Sequence, residues 1–209
     1  LRAKSEITPP ASDVLQLPIA QDWMQQLNDL LPTLEGGDWF YLLQAGDKLA
    51  DSALLLLAER IANLPGIRCV YSDEGALLDG ESGEPVFKPD FNLDLMRSYP
   101  YVGRTLAFER QSILELGGFD CTFAELAPQD ALWRLVETVG PQTVEHIAEI
   151  QVESTMSFAQ WLSRPQVVER SAMLVAAHLE RLGVAYRLHA DQLAVLNHVE
   201  YLHDYIPLV

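Results

Sequence analysis

Acidic residues stand at two points of this chain where apolar runs end. Asp38-Trp39-Phe40-Tyr41-Leu42-Leu43-Gln44-Ala45-Gly46-Asp47 reads as a buried strand closing in a turn and a carboxylate. Tyr71-Ser72-Asp73-Glu74 ends a second apolar run with a pair of acids. Carboxylates at such places can hold a metal ion or a sugar hydroxyl, because ligands of open α/β sheets sit just beyond the carboxyl ends of the strands. A third acid, Asp130, falls in the first turn of a helical pattern that starts at Pro128. The helix dipole there favours the ionised carboxylate, which can accept a proton at the cost of being a weaker base.

The elements that must position these groups follow from periodicity. Val14 to Ile19 reads as a short strand, and Gln21 to Leu31 has helical spacing through Trp23, Leu27, Leu30 and Leu31. Strand 38–44, helix 52–62 and strand 67–72 complete a β-α-β-α-β run, which argues for a parallel sheet covered by helices. Residues 77–87 read as a hairpin or an excursion, Lys88-Pro89-Asp90-Phe91 as a turn, and Asn92 as the cap of a short helix to Arg97. Tyr101 to Phe108 reads as a strand and Arg110 to Leu116 as a helix stopped by Gly117-Gly118. Pro128 to Val139 is a helix with Gly140-Pro141 past its end, and Thr143 to Ile150 alternates as a strand. Beyond Arg164 one apolar stripe, Val168, Ala172, Val175, Leu179 and Leu182, predicts a helix ending at Gly183 and packed on the main core.

The 209 residues carry 14 Lys+Arg against 30 Asp+Glu, a net charge of -16. Such a surface repels nucleic-acid phosphates and anionic lipid, so neither is an expected partner. No apolar run reaches the roughly 18 residues of a membrane span. Cys69 and Cys121 lack metal-type spacing and read as two reduced thiols, which fits a cytoplasmic protein. The chain begins with Leu, as a piece of a longer protein does.

The order of blocks resembles the second half of a family 2 glycosyltransferase domain of the GT-A type. The blocks are Leu42 to Leu49, Tyr71-Ser72-Asp73-Glu74, Phe87-Lys88-Pro89-Asp90-Phe91, Tyr101-Val102-Gly103-Arg104, Gly117-Gly118-Phe119-Asp120, and Gln129-Asp130 with Leu132 and Arg134. No block is specific alone; six in order make the signal. The resemblance implies an α/β fold, a GT-A-like mixed sheet flanked by helices. Residues 1–155 would form the domain, with a shortened nucleotide-binding half, and residues 156–209 a helix and connector. Residues 206–209 would begin a further glycosyltransferase domain.

The activity implied is transfer of a sugar from a nucleotide sugar to an acceptor glycan hydroxyl, with inversion, in a multidomain protein of bacterial-type polysaccharide biosynthesis. The chemistry needs a cation, Mg²⁺ or Mn²⁺, at the leaving diphosphate and a carboxylate to take the acceptor proton. By the resemblance Asp47 is the metal ligand and Asp130 the base. Asp73 and Glu74 lie near the donor, and Gln129, Lys88, Asp90 and Arg104 near the acceptor. His146 and Trp133 read as structural. Two departures weaken the metal site: Gln44 and Gly46 replace acidic positions, and Glu153-Ser154-Thr155 stands where the family ends in His-Trp-Arg. The opening strand of the family is absent too. The rival reading is therefore a non-catalytic module that binds acceptor glycan or scaffolds a neighbour; without the resemblance, Asp47 and Asp130 are an ordinary turn residue and a helix-stabilising acid. An unrelated α/β binding domain would show no groove at the ends of strands 38–44 and 67–72.

Overall fold

The computed structural model describes residues 22–78, 81–191 and 195–202. The expected strand Val14–Ile19, the N-terminal linker, the tip of the 77–87 excursion and the start of a further domain at 206–209 lie outside those residues.

Helix α1 (Trp23–Leu30) is capped by Asp22, whose side chain accepts from the Gln25 amide, and runs into a 3-10 turn, Leu31–Thr33. Strands β1 (Trp39–Tyr41) and β2 (Lys48–Leu49) flank a loop, and α2 (Ala53–Asn63) follows. Strands β3 (Cys69–Leu78) and β4 (Glu81–Val86) form the expected hairpin. Asn92 caps α3 (Leu93–Ser98), accepting from the Leu95 amide at 2.8 Å. Strand β5 (Leu106–Glu109) and helix α4 (Arg110–Glu115) come next, then a 3-10 segment, Cys121–Leu126. Helix α5 (Ala127–Val139) leads to β6 (Val144–Ser154). The chain closes with α6 (Phe158–Leu162), α7 (Pro165–Arg181) and a hairpin of β7 (Tyr186–Asp191) and β8 (Leu196–Tyr201).

The main sheet has the order β1-β5-β3-β6-β2, with β4 paired to β3. It is mixed, as the resemblance implied, and corrects the parallel sheet expected from the β-α-β pattern. Among the described residues only β3 and β6 pair in parallel; β1, β4 and β2 each pair antiparallel with their neighbours. The physical reason is β5, which returns from the 77–105 excursion and inserts antiparallel between β1 and β3. Period-two alternation divides the core between the two faces. Val70 and Ala107 pack with Leu57, Ile67 and Ile147 under α2. Cys69, Tyr71, Leu106 and Phe108 face the larger cluster, which holds Trp133 and Leu135 of α5 and also Phe158, Trp161, Val167 and Leu174 from beyond residue 155.

Two expected boundaries move. The strand placed at 67–72 continues to Leu78, so Asp73 and Glu74 lie within β3, each 3% exposed, rather than in a solvated turn past its end. The pairing of β3 with β6 shifts register between Ser72 and Glu74. The buried face of α7 is Val167, Ser171, Leu174, Val175, His178 and Leu179, displaced from the apolar stripe. Two polar members explain the displacement: Ser171 accepts from Asn197, and His178 pairs with Glu137.

Candidate functional site

Loop 42–47 leaves β1 and makes a tight turn. Asp47 Oδ2 accepts from the Gln44 amide at 2.8 Å, and the Asp47 amide donates to Gln44 O at 3.0 Å. Gly46 permits this turn with φ +98°, and a side chain there would crowd Thr155 at 3.3 Å. The second oxygen of Asp47 accepts from the Ser154 hydroxyl at the end of β6. Ser154 Oγ in turn accepts from Arg104 Nη2, which also donates to Met156 O at 2.7 Å.

A cavity of about 340 Å³ opens beside this turn, lined by Leu42, Leu43, Gln44 and Ala45, by Arg104 and Thr105, by Glu125 and Pro128 before and at the start of α5, and by Trp23, Trp161 and Arg164. Of the two strand ends where a groove was expected, the end of the 38–44 strand borders this cavity and the 67–72 strand contributes no lining residue to it. Trp23, one of the apolar positions of the helical spacing, is 49% exposed and faces this space; Leu31 is buried as expected, and Met24 joins it in the core. Arg164 is held by Glu125 at 2.6 Å. Ala124, just before Glu125, has φ +50°, a strained backbone for a residue with a side chain.

Deeper in the protein the acids of β3 are held by hydrogen-bonding partners. Lys88 Nζ meets Glu74 Oε2 at 2.9 Å and Val102 O at 3.0 Å, and its amide donates to Asp73 Oδ1 at 2.8 Å. Burial pulls the Lys88 ammonium below its ordinary range, opposed by Glu74. His146 stacks on Tyr71, with Nε2 3.0 Å from Asp73 Oδ1 and Nδ1 3.1 Å from Asp90 Oδ1. Gly103 packs against the Lys88–Glu74 pair, and its carbonyl accepts from Gln129 Nε2 at 2.9 Å. The other amide atom of Gln129, Oε1, is buried without a hydrogen-bond partner.

Asp130 lies in the first turn of α5 as expected, but it is 1% exposed. Arg134 Nε donates to Oδ2 at 2.7 Å and Arg181 Nη1 to Oδ1 at 3.1 Å. Burial pushes its carboxyl above the usual range, with the two arginines opposing, so the expected low value does not hold. Arg181 also donates twice to Glu137, and Glu137 accepts from His178 Nδ1 at 2.6 Å. His178 Nε2 faces the Arg97 Nε donor at 3.3 Å, which makes Nε2 the acceptor and Nδ1 the donor.

Of the residues named from sequence, Arg104 lines the cavity and Asp47 is tied to it through Ser154. Asp73, Glu74, Lys88, Asp90, Gln129 and Asp130 do not line it. Arg164, Glu125 and Trp161 were not singled out; their segments carried no motif. Ser154 was visible only as a departure from the family pattern.

An Mg²⁺ or Mn²⁺ ion seeks several hard oxygen ligands. Among the described residues no three His, Cys, Asp or Glu side chains come together to supply them. Asp47 stands alone with both oxygens hydrogen-bonded, and the backbone at Gly46 disfavours a second carboxylate. The described residues do not fit a protein-held divalent cation.

No family model matches the chain. It is similar to the O-antigen biosynthesis protein RfbC of Myxococcus xanthus, 33% identical over 152 residues, which are 70% of this chain and 12% of that protein. It is also similar to an uncharacterized protein, y4gI, of Sinorhizobium fredii (strain NBRC 101917 / NGR234), 29% identical over 132 residues, 63% of this chain and 14% of that protein. The chain thus spans 12% and 14% of the length of the curated relatives it matches.

Proposed function

We propose that this chain is a glycosyltransferase-like module, of the GT-A type and similar to family 2, within a longer polysaccharide-building protein. It receives a nucleotide sugar and an acceptor glycan. The observation that carries the reading is the cavity at the carboxyl end of β1, bounded by the Gln44–Ala45 turn, Arg104 and the start of α5. Its size and its mix of aromatic, apolar and charged walls suit a sugar ligand. The mixed α/β sheet and the similarity of 70% of the chain to a protein named for O-antigen biosynthesis support the same reading.

In the transfer, the acceptor oxygen bonds to the sugar carbon as the bond to the diphosphate breaks. The diphosphate leaves with the electron pair, and the hydroxyl proton passes to a carboxylate. Asp130 is the carboxylate we assign to that task, on the match of Gln129-Asp130 to the block of the family the chain resembles; burial raises its proton affinity. It must first exchange one arginine. Arg181, with its side chain 32% exposed against 18% for Arg134, is the one able to leave.

In the longer protein, Asp130→Asn is expected to lower sugar transfer by about a hundredfold or more while the module stays folded. Unchanged transfer would remove Asp130 from the reaction. A second reading, a non-catalytic module for acceptor binding, is favoured by the sealed state of Asp130 and the occupied oxygens of Asp47. It would be supported if Asp47→Asn also left transfer intact while glycan binding to the module persisted.

A further inference from the structure

We propose that the cavity beside β1 binds a diphosphate through guanidinium groups, Arg104 with Arg164 beside it, and without a divalent cation. The proposal rests on the nucleotide-sugar reading above and concerns how this chain meets the charge of such a ligand.

Arg104 is the first observation. Its Nη2 is fixed by Ser154 and Met156, while Nε and Nη1 are buried and have no hydrogen-bond partner. Among the described residues no carboxylate pairs with it directly, although Arg60, Arg68, Arg97, Arg134 and Arg181 all have one. A partly buried guanidinium with idle donors and no direct carboxylate partner is costly by itself, and an anionic ligand in the cavity removes the cost once the side chain turns those buried donors toward it. Arg164 lines the same cavity, with Glu125 taking part of its charge. Two arginines and one glutamate leave the cavity walls with a net positive charge in a chain of net charge -16. An approaching diphosphate needs such a local reversal of sign.

The fate of Asp47 is the second observation, and it is independent of the first. A protein-held divalent cation draws on several carboxylates, and Asp47 has no acidic neighbour in its turn. Here one oxygen closes the Gln44 turn and the other holds the Ser154 hydroxyl, whose oxygen accepts from Arg104. Asp47 therefore positions a guanidinium through Ser154. Gly46, with φ +98° and Thr155 at 3.3 Å from any added Cβ, blocks the simple restoration of a second acid. Arginine supplies planar donors suited to phosphate oxygens, so it can take over the charge that a cation would have carried.

The test is calorimetric titration of the whole 209-residue chain with UDP, GDP, dTDP and inorganic pyrophosphate. Each is run in EDTA and again with Mn²⁺, at about 0.15 M NaCl to screen the acidic surface. The expected result is binding in EDTA that Mn²⁺ changes by no more than about twofold, weakened about tenfold or more by Arg104→Met and partly restored by Arg104→Lys. Circular dichroism checks the fold of each variant; if Arg104→Met unfolds, the EDTA and Mn²⁺ comparison on the native chain decides. Nucleotide binding that appears only with Mn²⁺ overturns the proposal and leaves the nucleotide-sugar reading standing. Binding that ignores Arg104→Met in a folded variant also overturns it. Arg104-dependent binding of pyrophosphate but of no nucleotide supports the anion site and overturns the nucleotide-sugar reading. No binding of any probe overturns both.

Discussion

Glu137 joins three elements through one carboxylate. It lies on α5, accepts from His178 and Arg181 of α7, and through His178 reaches Arg97 of α3. Burial alone would raise its pKa; the bonds from His178 and Arg181 outweigh that and hold it below the ordinary 4.5. A carboxyl depressed in the folded state adds stability above its unfolded value, and that stability is lost as pH falls through the folded value. The window is therefore acidic, at and below about pH 4.5. Glu137→Gln is expected to cost about 1–2 kcal/mol at neutral pH, a figure reduced for the partial exposure of Arg181. The difference in thermal midpoint between native and variant should shrink as the pH is lowered through the folded value of the native carboxyl, which lies below the ordinary one. A difference independent of pH would mean that Glu137 acts by packing and not by charge.

At the scale of elements, the turn before β5 carries much of the arrangement. Gly103 has φ +78°, and a Cβ there would stand 3.0 Å from both Glu74 Oε2 and Lys88 Nζ. Its carbonyl also holds Gln129 at the head of α5. Gly103→Ala is expected to destabilise by more than about 1 kcal/mol in urea unfolding, since both backbone and packing resist the methyl group. A loss below a few tenths would show that the turn relaxes freely. The same region explains what could be read from sequence and what could not. The caps and stops were legible: Asn92, Gly117-Gly118 and Gly140-Pro141 act locally, and the structure uses each near the expected place. Strand β3 was cut short because two adjacent acids resemble a turn, while the lysine and histidine that bury them come from distant segments. The β7–β8 hairpin had no turn signature strong enough to mark it. Arg104 was legible as a candidate through its block, but Arg164 was not, because its place in the cavity depends on how α6 folds back.

For the whole molecule, charge is the dominant feature. With 30 acids against 14 bases, most basic groups of the described residues are already drawn into pairs, such as Arg60–Glu145, Arg164–Glu125 and Arg181–Glu137, and the excess acids remain on the surface. Net charge of this size destabilises a compact state by self-repulsion. Salt acts in two opposed directions: it weakens the exposed pairs, each worth about 0–1 kcal/mol, and it screens the repulsion among the surplus carboxylates. The exposed pairs are each worth little while the surplus is spread over the surface, so screening is expected to win. Raising NaCl from about 0.01 to 0.15 M shortens the screening length from about 30 to 8 Å. The thermal midpoint should rise by about 2–4 °C, equivalent to roughly 1 kcal/mol in a chain of this length. A fall in midpoint would mean that the ion pairs outweigh the repulsion. The same field draws divalent cations to the surface without any site, so a gain in stability with Mn²⁺ counts toward a specific site only where it exceeds that of NaCl at equal ionic strength.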